Sequence, residues 1–387
     1  MKISHILFDD YPFIDNWGYQ ENKLIKYQIT NDDIIVVAGR YVPTILQDHT
    51  SLKSLERFEE RQIGEHVLRV YRLDCVFGNS VLGKKIKYFK GLKKLLLKEK
   101  PDYIFVHDLH SFSLISVNNY LRTHDTKCVA DVHINYANSC SNKLSYLMHR
   151  YIYRPLILHN ISRIAKIYYL NDNCRRFIDE LYGLNKGTHN IGFLPLGGEI
   201  AEKEEIINTK NELYKKMSLT QKDVIFLHSG KFTSKKKTNE LISSFIQTDD
   251  SRFRLLLIGS PDNSIKSEFD RLVGSDKRIL YLGWKKNHDL MKYLMLCDVY
   301  LQPGSPSVTA HEAMCKGCAT VLSTEGNHYS AFVPKDCAIY ISSVDDLNDL
   351  FNKISEDPSY IDTFKTKGYE LAKKLFDYKT QARIIIQ

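Results

Sequence analysis

The chain has 387 residues, of which 43% are hydrophobic and 26% are charged, and its formal net charge is +8. This composition is typical of globular proteins and excludes a largely disordered chain. A chain of this length exceeds one ordinary hydrophobic core, so we predict two domains. No apolar run is long enough to span a membrane, and Met1–Asp10 lacks the features of a secretory signal.

The first half of the chain alternates short apolar runs with helical patterns. The predicted strands are Ile3–Phe8, Ile34–Ala38, His66–Arg72, Tyr103–Val106, Lys127–Val132 and Ile164–Tyr169. The predicted helices are Tyr19–Ile29, Val81–Leu97, Leu114–Arg122 and Lys143–Leu158. Buried strands that alternate with helices form parallel sheets covered on both faces, so this half predicts an α/β domain.

The second half repeats this plan after a charged stretch, Gly197–Thr220, which is poorly patterned apart from a short helix and predicts a linker. The predicted strands are Val224–His228, Arg254–Ile258, Ile279–Tyr281, Val299–Leu301, Ala319–Leu322 and Ala338–Ile341. Pro358–Phe376 predicts a helix. We therefore expect one domain at residues 1–205, a second at 206–365 and a C-terminal helical segment at 366–387.

The eight cysteines are scattered, and several lie in apolar strand or helix patterns that are typical of reduced structural thiols. Cys315 and Cys318 form a CxxC motif. No second cysteine pair or nearby pair of histidines completes a zinc set, so we do not expect metal or redox chemistry there.

Polar side chains follow one predicted strand of the first domain. Asp131 and His133 lie two residues apart and therefore on the same face of the strand end. His133 could orient an acceptor hydroxyl or accept a proton from it, and a buried histidine that is merely hydrogen-bonded is an equal alternative. His107 and His110 form a similar but less specific pattern.

Cationic side chains follow the first predicted strand of the second domain. Gly230 allows a sharp turn, and Lys231 and Lys236 could converge on a pyrophosphate. The alternative is that Lys235–Lys237 form a solvated loop. Because the glycine and both cations are in register, we favour phosphate binding.

The most informative stretch, Cys297–Leu322, predicts a strand, a loop, a helix and a second strand. Ser305 suits the N-cap and Pro306 the first helical turn, so we expect a helix that runs to about Lys316. A helix that starts at the carboxyl end of a strand presents free N–H groups to an anion. Glu312, expected two turns behind, could accept hydrogen bonds from sugar hydroxyls. This order of parts indicates a nucleotide-sugar site.

The segment His311–Val321 resembles the donor-site signature of GT-B retaining glycosyltransferases, specifically the group usually called family 4 or group 1. The resemblance implies two Rossmann-like domains that face a central cleft, with Glu312 on the ribose hydroxyls. It also implies that Lys231 and Lys236 take the places of the family's phosphate-binding arginine and lysine. The Gly18 loop resembles the one that lets donor phosphates approach the backbone.

One position departs from the family. The first of the two signature glutamates is replaced by Gly304, and we expect space there that Ser305 or Ser307 hydroxyls could use. The consequence is either an active enzyme with a variant sugar pocket or a chain that binds the donor poorly. We favour the active enzyme because the rest of the phosphate motif is intact.

The resemblance implies transfer of a sugar from a nucleotide-sugar to a hydroxyl of a glycan or lipid-linked saccharide, with retention and without a metal or cofactor. Cell-surface polysaccharide synthesis is the expected context. The assigned residues are His133, Lys231 and Lys236 for catalysis, Asp131 and His133 for the acceptor side, and Gly18, Gly230, Lys231, Lys236, Gly304, Ser305, Ser307 and Glu312 for the donor. A non-catalytic GT-B subunit and a sugar-nucleotide epimerase are the alternatives.

Much of the positive charge lies at residues 84–100, where apolar residues recur at helical spacing among lysines. Such a helix could lie on an anionic membrane surface or could simply cover the sheet, and both readings stay open. We expect a cytoplasmic protein, peripheral at the membrane if the first reading holds. No nucleic-acid-binding motif is present in the sequence, so nucleic acid is not an expected partner.

Overall fold

The protein is described from a computed structural model, which covers residues 1–8, 13–14, 19–40, 56–78, 80–185, 187–325 and 329–386. The chain forms two compact units, which are Met1–Pro195 with Gln381–Gln387, and Leu196–Thr380. The charged stretch Gly197–Thr220 therefore belongs to the second unit.

The first unit is built on an eight-stranded sheet. Its strands are β1 (Lys2–Leu7), β2 (Asp33–Gly39), β3 (Phe58–Ile63), β4 (His66–Leu73), β5 (Tyr103–His107), β6 (Lys127–Val132), β7 (Lys166–Tyr169) and β8 (Ile191–Phe193). The spatial order is β3-β4-β2-β1-β5-β6-β7-β8. All neighbours pair in parallel except β3, which is an antiparallel edge strand on β4. The sequence patterning missed β3 and β8.

Helices cover this sheet, and their apolar faces join the core of the unit. They are α1 (Gln20–Gln28), α2 (Val81–Ile86), α3 (Leu92–Glu99), α4 (Leu114–Leu121), α5 (Tyr136–Ser139), α6 (Lys143–Met148), α7 (Arg154–Asn160) and α8 (Asp172–Phe177). Two π-helical segments, His149–Tyr153 and Ile178–Tyr182, continue α6 and α8. The core includes residues such as Phe89, Leu96, Ile104, Tyr153 and Ile157.

The predicted continuous helix Val81–Leu97 is wrong, because the chain turns between α2 and α3. Lys87 and Gly91 both have left-handed backbone conformations, with φ of 48° and 81°. The Lys87 carbonyl accepts hydrogen bonds from the hydroxyls of Ser111 (2.6 Å) and Ser113 (2.9 Å). These side-chain bonds replace the helical ones that sequence periodicity alone would predict.

The second unit is built on a six-stranded, wholly parallel sheet. Its strands are β9 (Val224–Phe232), β10 (Phe253–Pro261), β11 (Ile279–Gly283), β12 (Val299–Gln302), β13 (Ala319–Ser323) and β14 (Ile339–Ile341), in the order β11-β10-β9-β12-β13-β14. All six correspond to predicted strands. β9 and β10 extend several residues further than the patterning indicates, since both run through glycines that read as turn signals.

The helices of the second unit pack on both faces of its sheet. They are α9 (Lys203–Lys216), α10 (Thr238–Gln247), α11 (Lys266–Ser275), α12 (Asn287–Leu296), α13 (Thr309–Cys315), α14 (Asp345–Glu356) and α15 (Asp362–Leu375). Short 3₁₀ turns lie at Ser234–Lys236, Tyr329–Ala331 and Pro358–Ile361. α9 is a full helix within the predicted linker, and its Lys210 ammonium lies 2.9 Å from the buried Asp298 carboxylate.

The last helix, α16 (Tyr378–Ile386), belongs largely to the first unit. Gln28 Nε2 donates a hydrogen bond to the Ala382 carbonyl at 3.2 Å. The Tyr103 hydroxyl donates to the Ile385 carbonyl, and the Ile385 side chain is buried.

All eight cysteines are free, and seven of them are buried. Burial raises the pKa of the Cys315 thiol well above its ordinary value, and Cys318 Sγ lies 3.0 Å from the Leu294 carbonyl. The CxxC motif is therefore packed as two small core residues. Among the described residues, no helix combines the length and the apolar character needed to cross a membrane.

Candidate functional site

In the second unit, polar residues gather where the order of the strands reverses. β9 lies between β10 and β12, so the connection after β9 and the connection after β12 run in opposite directions along the sheet. Open α/β sheets bind ligands at such a point. Gly230 lies within β9 with φ of +126°, rather than in a turn after it. Gly259 of β10 faces it, and a Cβ at Gly259 would lie 1.8 Å from the Gly230 carbonyl oxygen. The two strand ends therefore approach closely only because residue 259 is a glycine, whereas position 230 favours glycine through its positive φ.

Lys236 is held at this point by main-chain carbonyls. Its Nζ donates hydrogen bonds to the carbonyl oxygens of Ser305 (3.0 Å) and Pro306 (3.2 Å). Burial lowers the pKa of this lysine to about 8. An ammonium has three N–H donors, so one remains for a ligand after these two bonds.

The neighbouring lysines differ from Lys236. Lys231 and Lys235 are exposed, and Lys237 forms an ion pair with Glu325. The alternative of a uniformly solvated lysine loop therefore does not describe Lys236. Lys231 remains a predicted phosphate ligand, since no described contact joins it to Lys236.

Gly304 is packed against the turn that carries Lys236. A Cβ built at Gly304 would lie 2.2 Å from the Lys235 carbonyl oxygen and 2.8 Å from Lys236 Cα. The expectation of free space at this glycine is wrong, because the backbone of the turn after β9 fills it. The Ser305 N–H also donates to the Lys235 carbonyl at 2.8 Å, which fixes the two loops together.

The helix after β12 begins later than predicted. α13 starts at Thr309 and its N-cap is Val308, so Ser305 and Pro306 lie in the preceding loop, where their carbonyls bind Lys236. Ser307 is fixed by Tyr329, whose hydroxyl accepts from the Ser307 N–H (3.2 Å) and donates to its carbonyl (2.7 Å). The tertiary bonds to Lys236 and Tyr329 outweigh the local capping preference.

Because of this later start, Glu312 lies in the first turn of α13 rather than two turns behind it. The side chain is buried, and its Oε2 accepts a hydrogen bond from the Glu199 N–H at 3.1 Å. Gly198 lies against the same carboxylate, since a Cβ there would be 3.1 Å from Oε2. Glu312 is therefore not a solvent-facing helix residue.

Sequence reasoning missed the buried polar residues behind this loop. The Tyr300 hydroxyl lies 3.2 Å from Ser229 Oγ and donates to Gln302 Oε1 at 3.2 Å, and Gln302 Nε2 donates to the Ser305 carbonyl. His228 bridges the Leu301 carbonyl (2.8 Å) and Thr238 Oγ1 (3.1 Å), and burial lowers the pKa of this histidine to about 4. The sequence signal that could have found His228, Ser229, Tyr300 and Gln302 is that each is a polar residue within an otherwise apolar strand pattern.

In the first unit, a chain of buried polar side chains lies at the corresponding reversal, where β1 lies between β2 and β5. His5 Nε2 lies 2.6 Å from Gln28 Oε1, and His5 Nδ1 lies 3.0 Å from His107 Nε2. His107 Nδ1 lies 3.0 Å from Asp131 Oδ2. The Asp108 N–H donates to the other oxygen of Asp131 at 3.2 Å.

His133 and Glu21 complete this network. His133 Nε2 lies 3.2 Å from Asp131 Oδ2 and 3.7 Å from Glu21 Oε1. Burial alone would lower the pKa of His133, but the Asp131 and Glu21 carboxylates raise it from 6.5 to about 10. Burial alone would raise the pKa of Asp131, but His133 and His107 hold it well below its usual range.

These shifts favour one of the two roles predicted for His133. At neutral pH its imidazole is protonated, so it can donate a hydrogen bond but cannot accept a proton. The geometry therefore favours an orienting role. Its ring is 27% exposed and so is accessible to a ligand.

A second cluster lies beside this network. His110 Nδ1 lies 3.2 Å from Asp108 Oδ1, and Lys87 Nζ lies 3.0 Å from His110 Nε2. Asp108 has φ of +72°, a conformation that few residues other than glycine adopt. His110 is thus part of the same strand-end region as Asp131.

One group in the described part of the chain has the composition of a metal site. Ligand atoms of Glu21, His107 and His133 lie within 4.8 Å of one another, and two histidines with a glutamate form a common zinc set. A metal would have to replace the protons that the two histidines direct toward Asp131. The predicted donor residue Gly18 lies outside the described residues.

The packing of Gly304 predicts the effect of adding a single methyl group there. We expect Gly304→Ala to lower the free energy of unfolding by about 1–3 kcal/mol, because the Cβ collides with the backbone of the neighbouring turn. Chemical denaturation measures this change. Gly274→Ala is the matched control, because a Cβ there meets no atom within 4 Å. Equal stability of the two variants would contradict the packing.

The buried network predicts a distinctive histidine titration. We expect His133 to titrate near pH 10 in the wild type and close to 6.5 in Asp131→Asn, with Asp125→Asn as an exposed control. Because the pKa of His133 is higher in the folded than in the unfolded chain, its protonation stabilises the fold below pH 6.5. This stabilisation is lost as the pH rises toward 10. NMR of the histidine ring protons, assigned with the His133→Gln variant, measures the pKa of His133 in the wild type and in Asp131→Asn. A wild-type value near 6.5 would refute the assignment.

Comparison with known proteins agrees with this architecture. Residues 209–371 match the model of the family "Glycosyl transferases group 1". No curated protein sequence matches the chain.

Solved structures share the fold over the whole chain at low identity. Sucrose-phosphate synthase from Thermosynechococcus elongatus is 14% identical with a TM-score of 0.68, over 99% of this chain and 97% of that one. HepE from Anabaena, solved with UDP, is 13% identical with a TM-score of 0.65, over 100% and 98%. WaaG, described as a glycosyltransferase involved in lipopolysaccharide biosynthesis, is 13% identical with a TM-score of 0.63, over 100% and 99%.

These comparisons confirm the predicted α/β fold with two Rossmann-like units. The family match covers most of the second unit, which holds Lys236, Gly304 and Glu312. The second unit therefore matches the group 1 glycosyltransferases, and the whole chain shares the fold of solved GT-B glycosyltransferases.

Proposed function

We propose that this protein transfers a sugar from a nucleoside-diphosphate sugar to a hydroxyl group of a glycan or lipid-linked saccharide. The observation that carries the proposal is the partly buried Lys236 ammonium, which lies against the loop after β12 at the strand reversal of the second unit. HepE, which shares the fold, has been solved with UDP and with UDP-glucose. A UDP-hexose is therefore the first donor to test.

Lys236 has the properties needed to stabilise a diphosphate leaving group. During transfer, the bond between the anomeric carbon and the diphosphate oxygen breaks, and negative charge grows on the diphosphate. With a pKa of about 8, Lys236 remains mostly protonated at pH 7, and its partly buried ammonium needs no reorganisation to meet that charge. Lys231, exposed at the end of β9, supplies a second cation.

The donor's ribose is assigned to Glu312. A carboxylate has about four lone-pair positions and can therefore accept several hydrogen bonds, including those of sugar hydroxyls. The N–H and carbonyl groups of Ser305 and Ser307 are largely engaged by Lys235, Lys236 and Tyr329. We therefore assign those two serines to shaping the loop, in which the Ser307 hydroxyl donates to Thr309 Oγ1 at 3.2 Å. The Ser305 hydroxyl is the group that we assign to the donor.

The acceptor side is assigned to the first unit. Asp131 holds the His133 imidazolium in place, and this ring can donate a hydrogen bond to an acceptor or sugar oxygen. The acceptor oxygen bonds to the anomeric carbon, and its proton passes to the departing diphosphate. Gly304 supplies no carboxylate that could act as a nucleophile, so we propose front-face attack with retention of configuration.

The biological context is proposed from the same similarities. WaaG acts in lipopolysaccharide biosynthesis. We propose a cell-surface polysaccharide or glycolipid as the acceptor of this chain, and a cytoplasmic location at the membrane, where such acceptors are assembled.

We expect the reaction to need no metal. Wild-type release of UDP from a UDP-hexose in the presence of acceptor should be unchanged by EDTA, because Lys236 and Lys231 supply the positive charge. A loss of activity that Mn²⁺ restores, and that Glu21→Gln abolishes, would instead assign a metal to Glu21, His107 and His133.

Nucleotide binding tests the donor site directly. We expect UDP or a related nucleotide to raise the melting temperature of the wild type, since a ligand at 100 times its Kd stabilises by about 2.7 kcal/mol. Lys236→Ala should weaken binding by about 1.5–3 kcal/mol through loss of a charge-assisted hydrogen bond. Glu312→Ala should also reduce the shift.

Lys235→Ala is the matched control, because this neighbouring lysine is exposed and its side chain has no assigned role. Melting without ligand, measured for all variants, separates lost binding from lost stability. The absence of a shift with UDP, GDP, ADP and CMP and their sugars would contradict the donor site. A shift without any turnover would favour a non-catalytic subunit, which the glycine at position 304 also permits.

A further inference from the structure

The second unit has a cavity at the amino ends of its strands, which we call the amino-end cavity. Its volume is about 420 Å³, within the range of small-molecule sites. Residues at the start of three strands form much of its wall, namely Asp223 and Val224 at β9, Arg252 at β10 and Asp298 at β12. Lys236 follows the opposite, carboxyl end of β9, whose nine residues extend about 26 Å. The cavity is therefore separate from the candidate donor site.

One wall of the amino-end cavity holds more positive charge than its carboxylate needs. Lys210 Nζ and Lys365 Nζ both donate to the same oxygen of Asp298, at 2.9 Å and 3.0 Å. The other oxygen of Asp298 accepts from the Ile225 N–H at 3.0 Å. Burial alone would raise the pKa of Asp298, but Lys365 and Lys210 hold it below its usual value. One carboxylate therefore faces two ammonium groups, which leaves one positive charge in excess.

The other charged pairs at the cavity are balanced. Asp223 pairs with Arg254, whose Nη2 lies 2.8 Å from its carboxylate. Arg252 pairs with Asp250, whose carboxylate lies 2.5 Å from Arg252 Nη2. Neither pair offsets the excess charge at Asp298.

A further lysine adds to this excess. Lys222 lines the cavity, is exposed and has no acidic partner among the residues that the structure describes. Asp357 and Asp362 adjoin the lining residues Pro358 and Ile361 in sequence, but neither lines the cavity. The Asp357 carboxylate instead accepts from the N–H of Ser359 at 3.0 Å and from its hydroxyl at 2.7 Å. The cavity and its ion-pair partners thus have two cations in excess.

Unused hydrogen-bond donors accompany the excess charge. An ammonium has three N–H donors, and Lys365 uses one of them, on Asp298, within the described part of the chain. Phosphate oxygens accept charge-assisted hydrogen bonds from such groups. The remaining wall includes the largely apolar side chains of Tyr214, Pro358 and Ile361, against which an organic group can pack.

We propose that the amino-end cavity binds a small organic phosphate, with its phosphate group on Lys222 and Lys365 and its organic part against Tyr214, Pro358 and Ile361. A phosphate monoester carries a charge of about −1.5 to −2 at pH 7, which matches the two excess cations, whereas a neutral sugar or a monocarboxylate does not. This second ligand site goes beyond the proposed function, because none of its lining residues is assigned to the donor or the acceptor.

Isothermal titration calorimetry of the whole chain tests this proposal. The probes are glucose 6-phosphate and glycerol 3-phosphate, with inorganic phosphate and glucose as comparisons. We expect saturable binding of at least one ester, weaker binding of inorganic phosphate and no binding of glucose. Lys222→Gln combined with Lys365→Gln should weaken ester binding about tenfold or more, because two charge-assisted hydrogen bonds are lost. Asp298 keeps Lys210 and the Ile225 N–H in this variant, so we expect it to fold.

Lys216→Gln combined with Lys374→Gln is the matched control, because both lysines are exposed and neither lines the cavity. No binding of either ester, or equal binding by the cavity variant and the wild type, would overturn the proposal. Inorganic phosphate that binds as tightly as the esters would overturn the assignment of an organic ligand.

The Lys236→Ala variant distinguishes this site from the donor site. We expect Lys236→Ala to keep ester binding while it weakens nucleotide binding, and the cavity variant to keep its nucleotide-induced melting shift. Loss of ester binding in Lys236→Ala would assign the ester to the donor site and would overturn the second site. A failure of the amino-end cavity is thus distinguishable from a failure of the proposed function.

Discussion

The second unit's candidate site depends on the close approach of two loops, the turn after β9 and the loop after β12. They meet because position 304 has no side chain, and any Cβ there would collide with the Lys235 carbonyl. The contact brings the Lys236 ammonium onto the carbonyls of Ser305 and Pro306 and delays the start of α13 to Thr309. The glycine that departs from the family signature is thus a packing requirement of this chain. The Lys236 ammonium is thereby held in position without a ligand. A charge that is already in position stabilises a reaction most effectively, because it needs no reorganisation.

The first unit contains a buried charge that has to be compensated. Asp131 is fully buried, and an unpaired carboxylate there would cost far more than the fold could tolerate. His107 and His133 compensate it, and the Asp108 N–H binds its second oxygen. The consequence is a histidine that stays cationic at neutral pH with one side open to solvent.

Much of the fold could be predicted from sequence, because strands buried on both faces are continuous apolar runs, and all six strands of the second unit were found this way. The edge strand β3 was not predicted, because charged residues interrupt its apolar ones. Its described strand partner is β4. Helix ends were wrong wherever tertiary bonds override local preference, as at Lys87 and Thr309. Within the candidate sites, Lys236 and Asp131 were predicted from motif spacing. His5 and Tyr300 lie inside strands and Gln28 lies on α1, and they were not predicted because their partners are known only once the arrangement of these elements is known.

Turnover with a defined product is the most direct test of whether this chain catalyses sugar transfer. The protein would be incubated with a UDP-hexose and glycolipid acceptors extracted from membranes, with UDP release quantified and the anomeric configuration of the product read by NMR. We predict UDP release that depends on the acceptor, and a product with the donor's anomeric configuration. Release of free sugar without acceptor, an inverted product, or no release with any nucleotide-sugar that the protein binds would contradict this prediction.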